Sequence, residues 1–485
     1  MKRPLVLVFA TTLLSSSAFA ERNLILLGGG GEPAGQDSTM FDGTLKGVDS
    51  YLQSNKWNSS VSFNGGHAKT EALLASSFSS AQSKSTFTND NYKALIKGYE
   101  DKLNSGQIKS GDQLMVMIDT HGAARIDPAS ETSHSIAIGA SGTQSGLNLN
   151  DLSGTTTTSL DTLKNLVALA KAKGVKLAIL DFSCHSGNTL SLANENTCVI
   201  SSTGPKHFGY DDFSQNFVSK MKAGKSLEDV FLDTRKTTTD NAFPMISTPA
   251  GFAINKDFYP DITPYLYYYD DEPLHDKMTG YILGASSNVG QCNRNNQYDD
   301  LQRQLDQLQN AGKAGVKNIP EVKKIKSLIA DYKNSQDRYI DMVRSWGVTE
   351  LGRKEEFVGV GTAGRKSEQM KNSYTWEEIL RTDYDSIIRN VTVAKNGARD
   401  SQTQAMFAAS IDMHTKAKAR QQEILAQYPQ LKDYKQKLQQ QMTEMKGTYQ
   451  IANQIALEER KLYDTMYNNL RQDKNQANPC KDFVL

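Results

Sequence analysis

The stretch LAILDFSCHSGN, residues 177–188, decides how the rest of the chain is read. A continuous apolar run ends abruptly in an acid, a cysteine, a histidine and a glycine. Such a run, bounded by turn residues, is the pattern of a strand buried on both faces. A second run upstream ends in the same manner: DQLMVMIDTHG, residues 112–122, closes on His121-Gly122. Between them lie SIAIG (135–139), a short strand, and SLDTLKNLVALAKAKG (159–174), an amphipathic helix stopped by Gly174.

The same alternation extends outward. NLILLGG (23–29), SVSFNGG (60–66) and CVISS (198–202) read as strands, and 41–54, 91–106 and 211–224 as helices. Buried runs alternating with helices give an α/β fold, a mainly parallel sheet covered on both faces. In such sheets ligands bind beyond the carboxyl ends of the strands. His121 and Cys184 both lie there. Parallel neighbours joined by a crossover bring both strand ends to one edge. A thiolate is a strong nucleophile, and an imidazole can protonate a departing amine. Gly122 lets its backbone N–H approach a substrate oxygen, and with the N–H of Cys184 it forms a candidate oxyanion hole. The chemistry these residue types suit is acyl transfer, most simply peptide hydrolysis.

A strand ending in His-Gly, followed by one ending in Cys with Ser-Gly after it, resembles the caspase-type cysteine peptidases: caspases, metacaspases, legumains, clostripain and gingipains. IDTHG (118–122) is similar to the legumain-type histidine strand, and CHSG (184–187) to the metacaspase cysteine motif. The resemblance covers roughly residues 21 to 255. It implies a caspase-like fold, with Cys184 as nucleophile, His121 as general acid/base, and Gly122 plus Cys184 as oxyanion donors. It also implies that CVISSTGPKHFGYDD (198–212) walls the specificity pocket, which makes Ser201, Ser202 and Asp211 candidate pocket residues.

The motif departs from the family in one respect. Many members carry an acid or a glutamine two residues before the cysteine. Here Phe182 stands there, and the acid, Asp181, is one residue further back. A step of one residue along a strand turns a side chain to the opposite face. Asp181 is therefore a pocket candidate whose reach is open, and cleavage after Arg or Lys is open with it. Glu32, Asp37 and Asp212 are other acids that could supply the charge. His185, adjacent to Cys184, is expected to point away from the sulfur and to be solvated or structural. The loop LLGGGGEP (26–33) lacks the full nucleotide-binding glycine spacing, because Pro33 interrupts it. It is expected to shape the cleft rim.

The remaining features bound compartment and partners. MKRPLVLVFATTLLSSSAFA (1–20) has a basic start, an apolar core and Ala-x-Ala before Glu21. That is the layout of a secretory signal peptide of bacterial type, so an exported, periplasmic or secreted protein is expected, with residues 1–20 removed. Net charge is +1, so there is no electrostatic case for nucleic acid or a membrane surface. An oxidising compartment permits disulfides. Cys292 and Cys480 are the candidate pair, with two free thiols as the alternative, and Cys198 reads as an inert core thiol. No histidine or cysteine spacing suits zinc. No cofactor is required. Calcium is an open activator, although no acidic loop demands it.

The chain changes character near residue 290. Residues 21–290 read as the peptidase domain. Residues 291–485 read as a helical domain, a bundle or coiled coil, with helices over 296–311, 320–346, 375–396, 402–427 and 430–472. A glycine-rich, basic stretch at 352–369 interrupts them and reads as an exposed loop. If the pocket accepts basic residues, Arg353-Lys354 and Arg365-Lys366 are self-processing sites. The expectation is an exported cysteine endopeptidase that forms a thioester acyl-enzyme on a peptide or protein substrate, with the helical domain available to a protein partner. The alternatives are a scaffold with a degenerate peptidase domain, or an acyl transferase using the same dyad.

Overall fold

In a computed structural model, the described residues are 20–31, 37–63, 67–124, 134–138, 157–207, 209, 211–238, 243–259, 294–311, 319–346, 355–362, 369–398, 401–429, 431–471 and 476–485. The leader, Glu32, Cys292 and the Arg-Lys pairs at 353–354 and 365–366 lie outside them.

The described strands are β1 (Arg22–Gly28), β2 (Asn58–Phe63), β3 (Ser83–Ser85), β4 (Gln113–Asp119), β5 (Gly122–Ala124), β6 (His134–Ala137), β7 (Thr157–Ser159), β8 (Lys176–Asp181), β9 (Thr197–Ser201), β10 (Met245–Ile246), β11 (Glu355–Thr362) and β12 (Gln369–Thr375). Seven form one sheet in the order β10-β9-β8-β4-β1-β2-β3. Every pair in it is parallel except β10 with β9. The architecture is the expected mixed α/β one and is compatible with a caspase-like fold. β4 and β8 are adjacent, with Ile118 opposite Asp181. The apolar runs sit in the middle of this sheet: Ile118, Ile179 and Leu180 are fully buried, as expected of strands covered on both faces. Helix ends fall where the sequence marks them. Gly106 and Gly174, at φ +76° and +66°, adopt the left-handed conformation that ends a helix cheaply.

The small sheet β5-β6-β7 follows directly on β4 and folds over the carboxyl edge. The glycine loop after β1 supports it by close backbone contact. A Cβ at Gly30 would lie 2.3 Å from the Ala137 carbonyl oxygen, and Thr120 Oγ1 lies between the carbonyls of Gly30 and Ala137, 3.1 and 2.9 Å away, with its single hydrogen available to either. Gly30 therefore serves close backbone packing against β6.

The C-terminal region is helical and docks on the sheet domain. The helix Leu431–Leu470 packs against Pro320–Trp346, Leu227–Thr237 and Pro249–Asp257. One hydrophobic core is continuous from the sheet through Leu301, Ile325 and Tyr467 to Leu485. At this junction Arg235 Nη2 pairs with Glu459 Oε1 at 2.6 Å, both buried, and the guanidinium stacks 3.8 Å from the Tyr463 ring centroid. The chain end adds a β-like tie: Gly224 N–H donates to the Leu485 carbonyl at 2.7 Å, and Gln113 Nε2 to the Val484 carbonyl at 3.0 Å. Gln113 opens β4, so the terminus closes the amino edge of the sheet, opposite Cys184. A second, smaller core joins Trp376, Ile379, Leu380, Ala417 and Ile424.

Two expectations are corrected. Cys480 is bonded to Cys198, not Cys292. The chain end returns beside β9, so Cys198, the residue read as an inert thiol, is the one within reach. The stretch 352–369 is not all loop: Glu355–Thr362 pairs antiparallel with Gln369–Thr375 as a hairpin. Its alternation EEFVGVGT has the two-residue period of a strand, which the surrounding glycines and bases obscured.

Candidate active site

Ile118 and Asp181 are paired across β4 and β8. His121 and Cys184 each lie three residues beyond that pair, so the two segments leave the sheet in register on strands roughly 4.8 Å apart. Gly122 closes the gap. Its Cα packs directly on the other segment, and a Cβ there would lie 2.3 Å from the Cys184 carbonyl oxygen and 2.9 Å from both Cβ and Oγ of Ser183. The edge of the His121 ring meets Phe41, with centroids 5.3 Å apart at 79°. The His121 carbonyl accepts from Ala137 N–H at 2.8 Å, which ties its turn to β6.

Cys184 is the free cysteine among the described residues and is partly exposed. Gly209 N–H donates to its sulfur at 3.3 Å. Burial pushes the thiol's pKa up, and the backbone N–H groups of Gly209, Gly122 and Cys184 itself partly offset that. Those last two amides are the ones expected as oxyanion donors. The turn after Cys184 is tight: His185 has φ +62°, in the left-handed region where histidine is among the tolerated residues. Its N–H donates to the His207 carbonyl at 2.9 Å, and its Nδ1 lies 3.2 Å from the Pro205 carbonyl. His185 is thus a half-buried anchor of the turn. The segment 203–207 is braced by a neighbouring aromatic residue. His207 Nδ1 bonds Tyr259 OH at 2.5 Å, and the Tyr259 backbone is clamped by Gln304, at 2.8 Å to its N–H and 3.1 Å to its carbonyl.

The proposed pocket residues fare differently. Asp181 is corrected: it is fully buried and faces inward. Its Oδ1 accepts from Ser183 N–H and Oγ at 3.0 and 2.6 Å, and its Oδ2 from Thr189 Oγ1 at 2.6 Å. Phe182 turns to the other face and packs on Phe213 and Phe217. Ser201 and Ser202 are also fully buried. Ser201 Oγ donates to the Thr203 carbonyl at 3.0 Å. Ser202 N–H donates to the Asp181 carbonyl at 3.0 Å, and its hydroxyl backs Gly209. Both therefore offer no surface to a substrate. Asp211 begins the helix Asp211–Lys220, with its side chain outside the described set. Asp212 accepts from Asn216 Nδ2 at 2.8 Å, and Asp37 pairs with Lys69 on the surface.

The sequence did not point to His134. It opens β6, is fully buried, and its Nε2 lies 2.9 Å from Ser183 Oγ and 3.2 Å from Asp181 Oδ2. A lone histidine before a short strand carries no spacing signal, so only the fold brings it under Cys184. Among the described residues no cluster could hold a metal ion, and no helix is long and apolar enough to cross a membrane. Neither a protein-family model nor a curated protein matches the chain.

Proposed function

We propose that the protein is an exported cysteine endopeptidase of the caspase-like kind. The observation that carries this reading is the in-register exit of His121-Gly122 and Cys184 from adjacent parallel strands, sealed by Gly122 against the Cys184 carbonyl. In the reaction, the Cys184 sulfur, giving its proton to His121, forms a bond to the scissile carbonyl carbon. The N–H groups of Gly122 and Cys184 receive the oxyanion. The C–N bond then breaks, and His121 delivers its proton to the departing amine. Water, deprotonated by His121, hydrolyses the thioester and frees the thiol. Asp181 is turned inward and contributes nothing to the recognition of a basic side chain.

One observation favours the non-catalytic alternative: burial raises the Cys184 thiol's pKa, as expected of an inert cysteine. A mixed peptide library incubated with wild-type and Cys184→Ala protein, with and without calcium, separates the two. An endopeptidase gives cleavage that vanishes in the variant. An acyl transferase gives products heavier by an added amine. A scaffold gives neither, and that result would overturn the proposal.

A further inference from the structure

Beneath Cys184 lies a network that joins both halves of the dyad. Asp181, His134 and Ser183 are almost wholly shielded from solvent, and a buried carboxylate is costly unless its neighbours satisfy it. Here they do. Asp181 receives the hydroxyl and backbone N–H of Ser183, the residue before the nucleophile, and the hydroxyl of Thr189, in the helical turn after it. One carboxylate therefore straps both flanks of Cys184. Ser183 Oγ spends its single hydrogen on Asp181, so toward His134 it can only accept. His134 Nε2 must then carry a proton, which it shares between Ser183 Oγ and Asp181 Oδ2 at 2.9 and 3.2 Å.

The place of His134 in the chain gives this network a second end. Ala124 pairs with His134, and Gly122 with Ile136, in the hairpin that begins directly after His121. The strand carrying the base therefore leads into the hairpin that carries this imidazole. The imidazole in turn reaches the residue preceding the nucleophile.

We propose that His134 is a positioning residue that sets the separation of the His121 and Cys184 segments through Ser183 and Asp181. It touches no substrate. The inference rests on the Cys184–His121 reading. Geometry held to within a fraction of an ångström is what such shells supply, and its loss costs on the order of 10- to 100-fold in rate.

The test uses the full chain. Iodoacetamide alkylation of the Cys184-containing peptide is timed by mass spectrometry in wild type, His134→Ala, His134→Gln, Ser183→Ala and His121→Ala, with thermal midpoints recorded alongside. Glutamine places an N–H donor where Nε2 stands. His134→Ala should slow alkylation about 10-fold or more, and His134→Gln should recover to within about 3-fold of wild type. Ser183→Ala keeps the His134–Asp181 contact but cuts the bridge, and should also be slow; it provides the reading if His134→Ala does not fold. Wild-type rates in both His134→Ala and Ser183→Ala would overturn the inference. So would equal slowing by alanine and glutamine at 134, which is what a merely structural role gives. If wild type itself reacts no faster than His121→Ala, the dyad reading has failed, and that failure is visible before any His134 variant is compared.

Discussion

Replacing Gly122 by alanine strikes the contact on which the dyad depends. The new Cβ would lie 2.3 Å from the Cys184 carbonyl oxygen and 2.9 Å from Cβ and Oγ of Ser183. A carbon and a carbonyl oxygen normally approach no closer than about 3.3 Å, so the two segments must part by about 1 Å. The obstacle is backbone, and no flexible side chain can swing aside. Overpacking of this kind costs about 1–3 kcal/mol, a fall of a few degrees in thermal midpoint for a domain of this size. The effect on chemistry should be larger, because a misplacement of about 1 Å costs on the order of 100-fold. Gly122→Ala should therefore remain folded while Cys184 alkylation and any Cys184-dependent cleavage fall about 100-fold. Circular dichroism and timed alkylation measured on the same preparation check both parts. A folded Gly122→Ala protein that alkylates at the wild-type rate would refute the packing argument.

Three further outcomes follow from the contacts. Burial raises the Cys184 pKa, so an unassisted thiol stays neutral to higher pH than an ordinary one. That shift holds with His121 in place, so wild-type alkylation should keep rising with pH beyond the usual thiol range, and His121→Ala should be slower below it; a wild-type profile that levels off at or below that range, or coincident profiles, would contradict this. Removing the Cys198–Cys480 bond by Cys480→Ala should cost about 2–5 kcal/mol, seen as a lower denaturation midpoint, and reductant should lower the wild-type midpoint by a similar amount while leaving the variant unchanged. Breaking the buried Arg235–Glu459 pair by Glu459→Gln strands a guanidinium and should cost about 3–5 kcal/mol in chemical denaturation, with Arg235→Met/Glu459→Leu recovering most of it.

The parts of the fold legible in the sequence were those written as continuous patterns. The runs that became β1, β4, β8 and β9 are apolar because both faces are covered, and Gly106 and Gly174 mark their helix ends through positive φ. β3 and β10, with three and two residues, are too short to leave a period. The positions of His121, Gly122 and Cys184 at one edge followed from strand order alone. What failed needed three dimensions. Asp181, the last residue of β8, and Phe182, just after it, point to opposite sides, and which side is buried in which way depends on where the helix carrying Phe213 packs. Cys198 found its partner only because the final residues fold back to β9. His134 gained its role from a hairpin whose register brings Ala124 opposite it.

The measurement that bears most directly on the dyad is alkylation by a small excess of iodoacetamide, followed on the Cys184-containing peptide in wild type and His121→Ala, with Cys184→Ala as the blank. An assembled Cys–His pair requires fast, single-site labelling in wild type that slows in His121→Ala. Equal and slow labelling in the two proteins would contradict it and leave Cys184 an unactivated thiol.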